Sequence, residues 1–230
     1  MTGPMIDRNN LPSGDWVLGS NSVNAFNPPR QSSAHSMSLC LLLMLAQRRR
    51  NERQTAVEVG CWQGASARVL LHNMPFLTLH CVDPWKAGDP GTDWYDNGDR
   101  YAKRSQSQFD LQHDLVCEMA EQFKPRCIVH RLPSLEAAPL FADASLDLVF
   151  IDGAHTYEAV RADLFAWRKK TRSGGWLTAH DYRESGNYFG VINGCKSATD
   201  EMGLKREIVD DKLGFRATVM PGKVMACRIP

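Results

Sequence analysis

The chain has 230 residues, with 27 Lys and Arg against 26 Asp and Glu, so its formal charge is +1. That length carries a core without cross-links, and the balanced charge gives no electrostatic footing for nucleic acid or an anionic membrane. The seven cysteines are odd in number and form no CxxC pair. They read as free thiols of a reducing, cytoplasmic setting rather than a disulfide framework or a clustered zinc site.

Residues 1–33 carry Pro12, Pro28 and Pro29 without a hydrophobic period and read as an irregular arm. They lack the apolar stretch of a secretory signal. Residues 34–230 read as one domain. Its first helix is expected over Ala34–Arg50, with Met37, Leu41, Met44 and Leu45 at helical spacing. The apolar stretch there is about half the ~20 residues that a bilayer demands, so no membrane partner is expected. This helix either covers a sheet or builds a dimer face, which places a homodimer among the expectations.

From Thr55 onward strands and helices alternate. Short β-type runs are expected at Thr55–Val59, Leu77–Val82, Cys127–His130, Leu146–Ile151 and Trp176–Ala179. Helices are expected at Ala65–Asn73, Asp99–Phe123, Tyr157–Lys170 and Val191–Met202. In the second of these Leu111, Leu115, Met119 and Phe123 recur every four residues. Residues 86–108 contain a polar, turn-rich insertion that suits a lid, with Trp85, Trp94, Tyr95 and Tyr101 in or near it. The chain closes on an antiparallel hairpin, Gly214–Met220 and Lys223–Arg228, turning at Pro221 and Gly222. The pattern is α/β: a doubly wound, Rossmann-like, mostly parallel sheet with that hairpin at its end.

In such sheets ligands bind at the carboxyl ends of the strands. The segment from Glu58 to Ser66 (EVGCWQGAS) ends a strand and opens a helix. Gly60 permits a sharp turn, and Gly64 brings the helix start close to a ligand, where its N–H groups can hold a carboxylate or phosphate. Asp83, at the next strand end, suits the two hydroxyls of a ribose. A dinucleotide fingerprint needs glycine where Trp62 stands, which argues against an NAD-dependent oxidoreductase. E-x-G-x-x-x-G instead leaves room for a smaller ligand carrying carboxylate, amine and ribose, as S-adenosylmethionine does, with Glu58 placed for an ammonium or a water.

Strand four ends in Asp152 and His155, and strand five in His180 and Asp181. Carboxylates and imidazoles in one cleft bind a divalent ion or supply a general base. Thr156 is the expected cap of the following helix.

These stretches resemble class I S-adenosylmethionine-dependent methyltransferases, in the branch of small O-methyltransferases with IDGxH and HD motifs. Asp147 to Val160 (DLVFIDGAHTYEAV), Ser173 to Asp181 (SGGWLTAHD), Val82 to Asp89 (VDPWKAGD) and Phe189 to Val191 (FGV) carry the likeness. The resemblance implies a seven-stranded sheet with the last strand antiparallel. It implies that Glu58, Gly60, Cys61, Trp62, Gly64 and Ser66 surround the amino-acid end of the cofactor. Asp83 would lie on the ribose, Trp85 and Ser134 near the adenine, and Asp152 beside the cofactor. Some relatives hold Mg²⁺ at the positions of Asp152 and Asp181; His180 departs from their acidic pattern.

The expected reaction is methyl transfer to a hydroxyl of a small molecule, a sugar or natural product. Either a histidine acts as base, His155 in preference to His180, or Asp152 and Asp181 hold Mg²⁺ that acidifies the hydroxyl. Two other classes compete. A nucleic-acid methyltransferase would use an NPP-type strand end; Asn27, Pro28 and Pro29 supply the letters, but Arg30 follows and no strand precedes. A non-catalytic module that binds S-adenosylmethionine would have no need of His155, His180 and Asp181.

Overall fold

A computed structural model of the protein describes residues 52–92, 95–96, 100–183, 189–210 and 223–230. The expected helix at Ala34–Arg50, the 1–33 arm, Trp94 and the hairpin strand at Gly214–Met220 lie outside these residues.

Seven strands form one sheet: β1 Gln54–Val59, β2 Leu77–Val82, β3 Cys127–His130, β4 Leu146–Ile151, β5 Thr171–Ala179, β6 Glu207–Asp210 and β7 Lys223–Arg228. Among the described residues five helices accompany them: α1 Ala65–Asn73, α2 Gln106–Gln122, α3 Ser134–Ala137, α4 Tyr157–Arg168 and α5 Phe189–Glu201. The strand order is β3-β2-β1-β4-β5-β7-β6. Strands β1 to β5 run parallel, and β7 is antiparallel to both β5 and β6. The central strands are sandwiched, and their sequences show it. All six residues of β4 are buried, because Leu148 and Phe150 pack on one face while Leu146, Val149 and Ile151 pack on the other. The one acidic residue inside it, Asp147, accepts a hydrogen bond from the Thr55 amide (2.8 Å) and pairs with Arg172.

Local chemistry explains the helix limits. Ser105 and Gln108 form a reciprocal capping box at the start of α2, so the expected helix from Asp99 divides into a 3₁₀ turn, Arg100–Lys103, and α2 proper. The buried stripe of α2 is Phe109, Gln112, Val116, Met119 and Ala120; of the every-fourth-residue series Met119 and, just past the helix, Phe123 are buried, while Leu111 is 56% exposed. A spacing of four drifts off a 3.6-residue helix, and the alternation of three and four keeps the face. Of the closing hairpin, β7 stands as read and is antiparallel to β5 and to β6, while the expected strand Gly214–Met220 lies outside the described residues.

The register aligns the strand ends. Val59 pairs with Val82 and with Ile151, Val82 with His130, and Ile151 with Ala179. The next residue of each strand therefore falls in one row across the carboxyl edge: Arg131, Asp83, Gly60, Asp152 and His180. Among the described residues no helix is long and apolar enough to cross a membrane.

Candidate active site at the carboxyl edge of the sheet

The β1–α1 loop is bent tightly onto its neighbours. Gly60 has φ +87°, and a Cβ there would stand 2.1 Å from the Asp152 carbonyl oxygen. Only glycine combines that dihedral with that approach. Gly64, at φ +71°, is the N-cap of α1 and supplies no side-chain cap. The first amides of α1 therefore keep their capacity to donate to a ligand. Below the loop Glu58 is 1% exposed. Its Oε1 accepts from the Ser66 hydroxyl, and its Oε2 has no hydrogen-bond partner. Burial raises the Glu58 pKa to about 8; the Ser66 hydroxyl opposes this, while Asp152 and Asp83 add to it. Cys61 lines the core side of the loop. Its contact with Cys81 lowers its pKa, but burial and the nearby carboxylates carry it up to about 12.

Asp83 clamps the two loops together. Its Oδ2 accepts from the Trp62 amide (2.9 Å) and its Oδ1 from the Trp85 amide (2.8 Å). Burial raises its pKa, while those two amides oppose the shift. A carboxylate has about four acceptor positions, so two remain for a ligand. Trp85 is fully enclosed, and its Nε1 donates to the Trp62 carbonyl (2.8 Å). Its ring is enclosed, and that bond ties the β2 strand end to the β1–α1 loop. Ser134 is likewise engaged, its Oγ accepting from Trp167 Nε1 (2.8 Å). Trp62 lies half-buried against Tyr101 (4.8 Å between ring centroids) and under the Arg104 guanidinium (4.8 Å).

The four groups at the ends of β4 and β5 do meet. His180 Nδ1 lies 3.2 Å from Asp152 Oδ1 and 3.7 Å from Asp181 Oδ2. His155 Nε2 lies 3.4 Å from Asp181 Oδ2. Asp181 adopts φ +54°, and its Oδ1 accepts from Arg183 (3.0 Å). Burial raises the Asp181 pKa, against the pull of His180, while Asp152 adds to the rise. The Thr156 hydroxyl caps α4 through the Ala159 amide (3.3 Å), so Asp152 is not spent on capping. Gly190 explains the FGV stretch: a Cβ there would stand 2.3 Å from the His155 carbonyl oxygen. The start of α5 thereby presses on the loop that carries His155. Asp152, His155 and Asp181 each offer a ligand atom, all within 4.8 Å of one another. Arg131 and Arg183 enter the site without having been named as candidate site residues in the sequence. Arg131 follows the end of β3 directly and Arg183 lies four residues after the end of β5, and that nearness to strand ends is the signal that could have found them.

A family model described as a methyltransferase domain matches residues 57–182. A protein of Acanthamoeba polyphaga mimivirus, described as uncharacterized protein R132, is 24% identical over 130 residues, 56% of this chain and 52% of that protein. The chain thus spans about half the length of the curated relative it matches. Among solved structures, the O-methyltransferase TomG from Streptomyces achromogenes, in complex with SAM, superposes with a TM-score of 0.57 at 15% identity, over 90% of this chain and 86% of TomG. The 1,6-didemethyltoxoflavin-N1-methyltransferase of Burkholderia thailandensis superposes with a TM-score of 0.58 at 12% identity, over 87% of this chain and 79% of its own. The fold is shared by enzymes named for oxygen and for nitrogen methylation, so the acceptor atom has to be argued from this chain's own site.

Proposed function

This chain belongs to the methyltransferase-domain family, and on that premise we propose that it moves the methyl group of S-adenosylmethionine to a hydroxyl oxygen of a small molecule, a sugar or natural product. The observation that carries the acceptor class is the Asp152–His155–His180–Asp181 cluster, one residue along the strand-end row from Gly60. A hydroxyl is a weak nucleophile until its proton is taken, and this cluster is built of proton acceptors.

In this reading the amino-acid end of the cofactor lies over Gly60–Ser66. The uncapped start of α1 would hold its carboxylate, and Glu58, whose Oε2 has no other hydrogen-bond partner, would hold its ammonium. Asp83 takes the ribose hydroxyls through its two remaining acceptor positions. The acceptor oxygen attacks the methyl carbon in line with sulfur. The new C–O bond forms as the C–S bond breaks, its electron pair returns to sulfur, and S-adenosylhomocysteine leaves. Binding geometry supplies much of the acceleration, because both reactants are held in line.

The hydroxyl proton has two routes. Asp181 faces Nε2 of His155 (3.4 Å); a carboxylate there favours the tautomer protonated on Nε2, leaving Nδ1 to accept the proton. His180 directs Nδ1 at Asp152 and is 8% exposed, which suits it to positioning more than to proton transfer. The second route is favoured by the convergence of donor atoms from Asp152, His155 and Asp181. A divalent ion bound there would lower the pKa of the hydroxyl.

Calorimetric titration with S-adenosylhomocysteine tests the cofactor assignment. Micromolar binding that Asp83→Ala weakens at least tenfold is expected, and the absence of binding would sink the proposal. Incubation with S-adenosylmethionine and a panel of sugar, phenol and amine acceptors tests the acceptor class. O-methylated products are expected; methylation confined to amines would overturn that part.

A further inference from the structure

We infer that Glu58, Cys61 and Cys81 form a site for a thiophilic divalent ion, Zn²⁺ or Cd²⁺, and that an ion bound there excludes the cofactor. The fold assembles this site from residues with no motif spacing. Glu58 and Cys81 are register partners on β1 and β2. Cys81 packs in the core layer beneath α1 and α2, and so does Ala56, two residues before Glu58 on the same face of β1. Cys61 enters that layer from the loop, one residue after Gly60. One donor atom from each of the three lies within 4.8 Å of the others. Zn²⁺, with bonds of about 2.0–2.3 Å, sets its donors roughly 3.5–3.8 Å apart, so the three have about 1.3 Å at most to close.

Glu58 supplies an independent observation. It is 1% exposed, its Oε1 accepts from the Ser66 hydroxyl, and its Oε2 has no hydrogen-bond partner. A buried carboxylate oxygen without a donor is costly, and a cation beside it removes that cost. The donor set selects the ion. Two thiolates favour soft and borderline ions, whereas Mg²⁺ favours oxygens and parts reluctantly with its water. Cys61 and Cys81 are both buried, so an ion sheds its water on entry and sulfur replaces it. As each S–H bond breaks and a sulfur–metal bond forms, the proton passes to solvent. No oxidant takes part. The exclusion follows from the two Glu58 oxygens. Ser66 holds Oε1, so an ion on Oε2 leaves the cofactor's ammonium no free oxygen there and sets two positive charges side by side. The exclusion rests on the methyl-transfer reading, but the binding of the ion does not.

The test uses the full chain, reduced and stripped with a chelator. Cd²⁺ is titrated while its ultraviolet thiolate charge-transfer band is recorded. S-adenosylhomocysteine is then titrated calorimetrically without added ion and with saturating Cd²⁺, Zn²⁺ or Mg²⁺. A Cd²⁺ band is expected that Cys81→Ala removes. Cys127→Ala, which opens a similar cavity by deleting the thiol 3.9 Å from Cys81 Sγ, is expected to keep it. Melting transitions report the folding of each variant, and Cys81→Ser, close to cysteine in size, repeats the test. The Kd of S-adenosylhomocysteine is expected to rise at least ~10-fold with Cd²⁺ or Zn²⁺ and to stay unchanged with Mg²⁺. In the Cys81 variants it should no longer respond to Cd²⁺. A band that survives both Cys81 variants, or that falls equally in Cys127→Ala, would overturn the site. An S-adenosylhomocysteine affinity indifferent to Cd²⁺ would overturn the exclusion. If S-adenosylhomocysteine binds and no Cys81-dependent band appears, the metal site alone fails. If the band appears and S-adenosylhomocysteine does not bind, the methyl-transfer reading fails, and the exclusion with it, while the site stands.

Discussion

The backbone of Gly60 lies against the carbonyl of Asp152 so closely that a Cβ on Gly60 would stand 2.1 Å from that oxygen. The contact joins the loop proposed to carry the cofactor to the strand end proposed to activate the acceptor. It also separates two glycines with nearly the same dihedral. Gly91 has φ +86° against +87° at Gly60, but nothing lies within 4 Å of a Cβ at Gly91. Gly91→Ala therefore costs only the conformational strain, about 1–2 kcal/mol. Gly60→Ala adds a backbone collision. We expect a fall in melting temperature at least twice as large for Gly60→Ala, with S-adenosylhomocysteine binding lost. Equal falls would show that the collision is relieved without cost.

Glu58 predicts a pH dependence. Its pKa is raised from 4.5 to about 8, so the folded state holds the proton more tightly than the unfolded state. Its stability contribution is whole below about pH 4.5 and is lost as the pH climbs through about 8. Glu58→Gln keeps the neutral form at every pH. Urea melts of the cofactor-free proteins between pH 5 and 8.5 should show the wild type losing up to about 1.4 kcal/mol per pH unit relative to the variant. Parallel curves would contradict the raised pKa.

Trp85 predicts a stability effect felt at the site. Trp85→Phe preserves most of the buried ring but leaves the Trp62 carbonyl without its indole donor. An unpaired buried acceptor costs about 1–3 kcal/mol. We expect the melting temperature to drop by about 3–8 °C and S-adenosylhomocysteine affinity to fall with it. A variant that melts and binds like the wild type would remove the positioning role.

Thr156 predicts a separable effect one residue from His155. Thr156→Ala removes the α4 cap at a cost of about 1 kcal/mol, or about 2–4 °C in melting temperature. Thr156→Ser should restore it. If serine fails to rescue, the loss comes from the methyl group's packing and not from the cap.

The strands that position the site were readable because each is a short apolar run bounded by turn residues. Leu77–Val82, Cys127–His130 and Leu146–Ile151 match expectation residue for residue. Leu111 belongs to the four-residue series but not to the buried face of α2, because a four-residue spacing and a helical face coincide for only about two turns. Strand β6 escaped notice: Glu207–Asp210 is four residues long and borrows its order from β7. A sequence also does not say which side of a loop a side chain faces, as Trp85 and Ser134 illustrate. The structure shows one enclosed and the other bonded to Trp167.

The residues by themselves determined the alternation of strands and helices, the glycine turn after β1, and the chemistry carried by each strand end. These are properties of neighbours in the chain: hydrophobic period, turn propensity and side-chain type. Only the tertiary structure decided that Asp83, Gly60, Asp152 and His180 stand in one row, that Asp83 holds two loops together, and that His155 faces Asp181. Those pairings depend on strand register and on packing between segments far apart in sequence. A shift of one residue in register would have carried a different side chain to every position in the row.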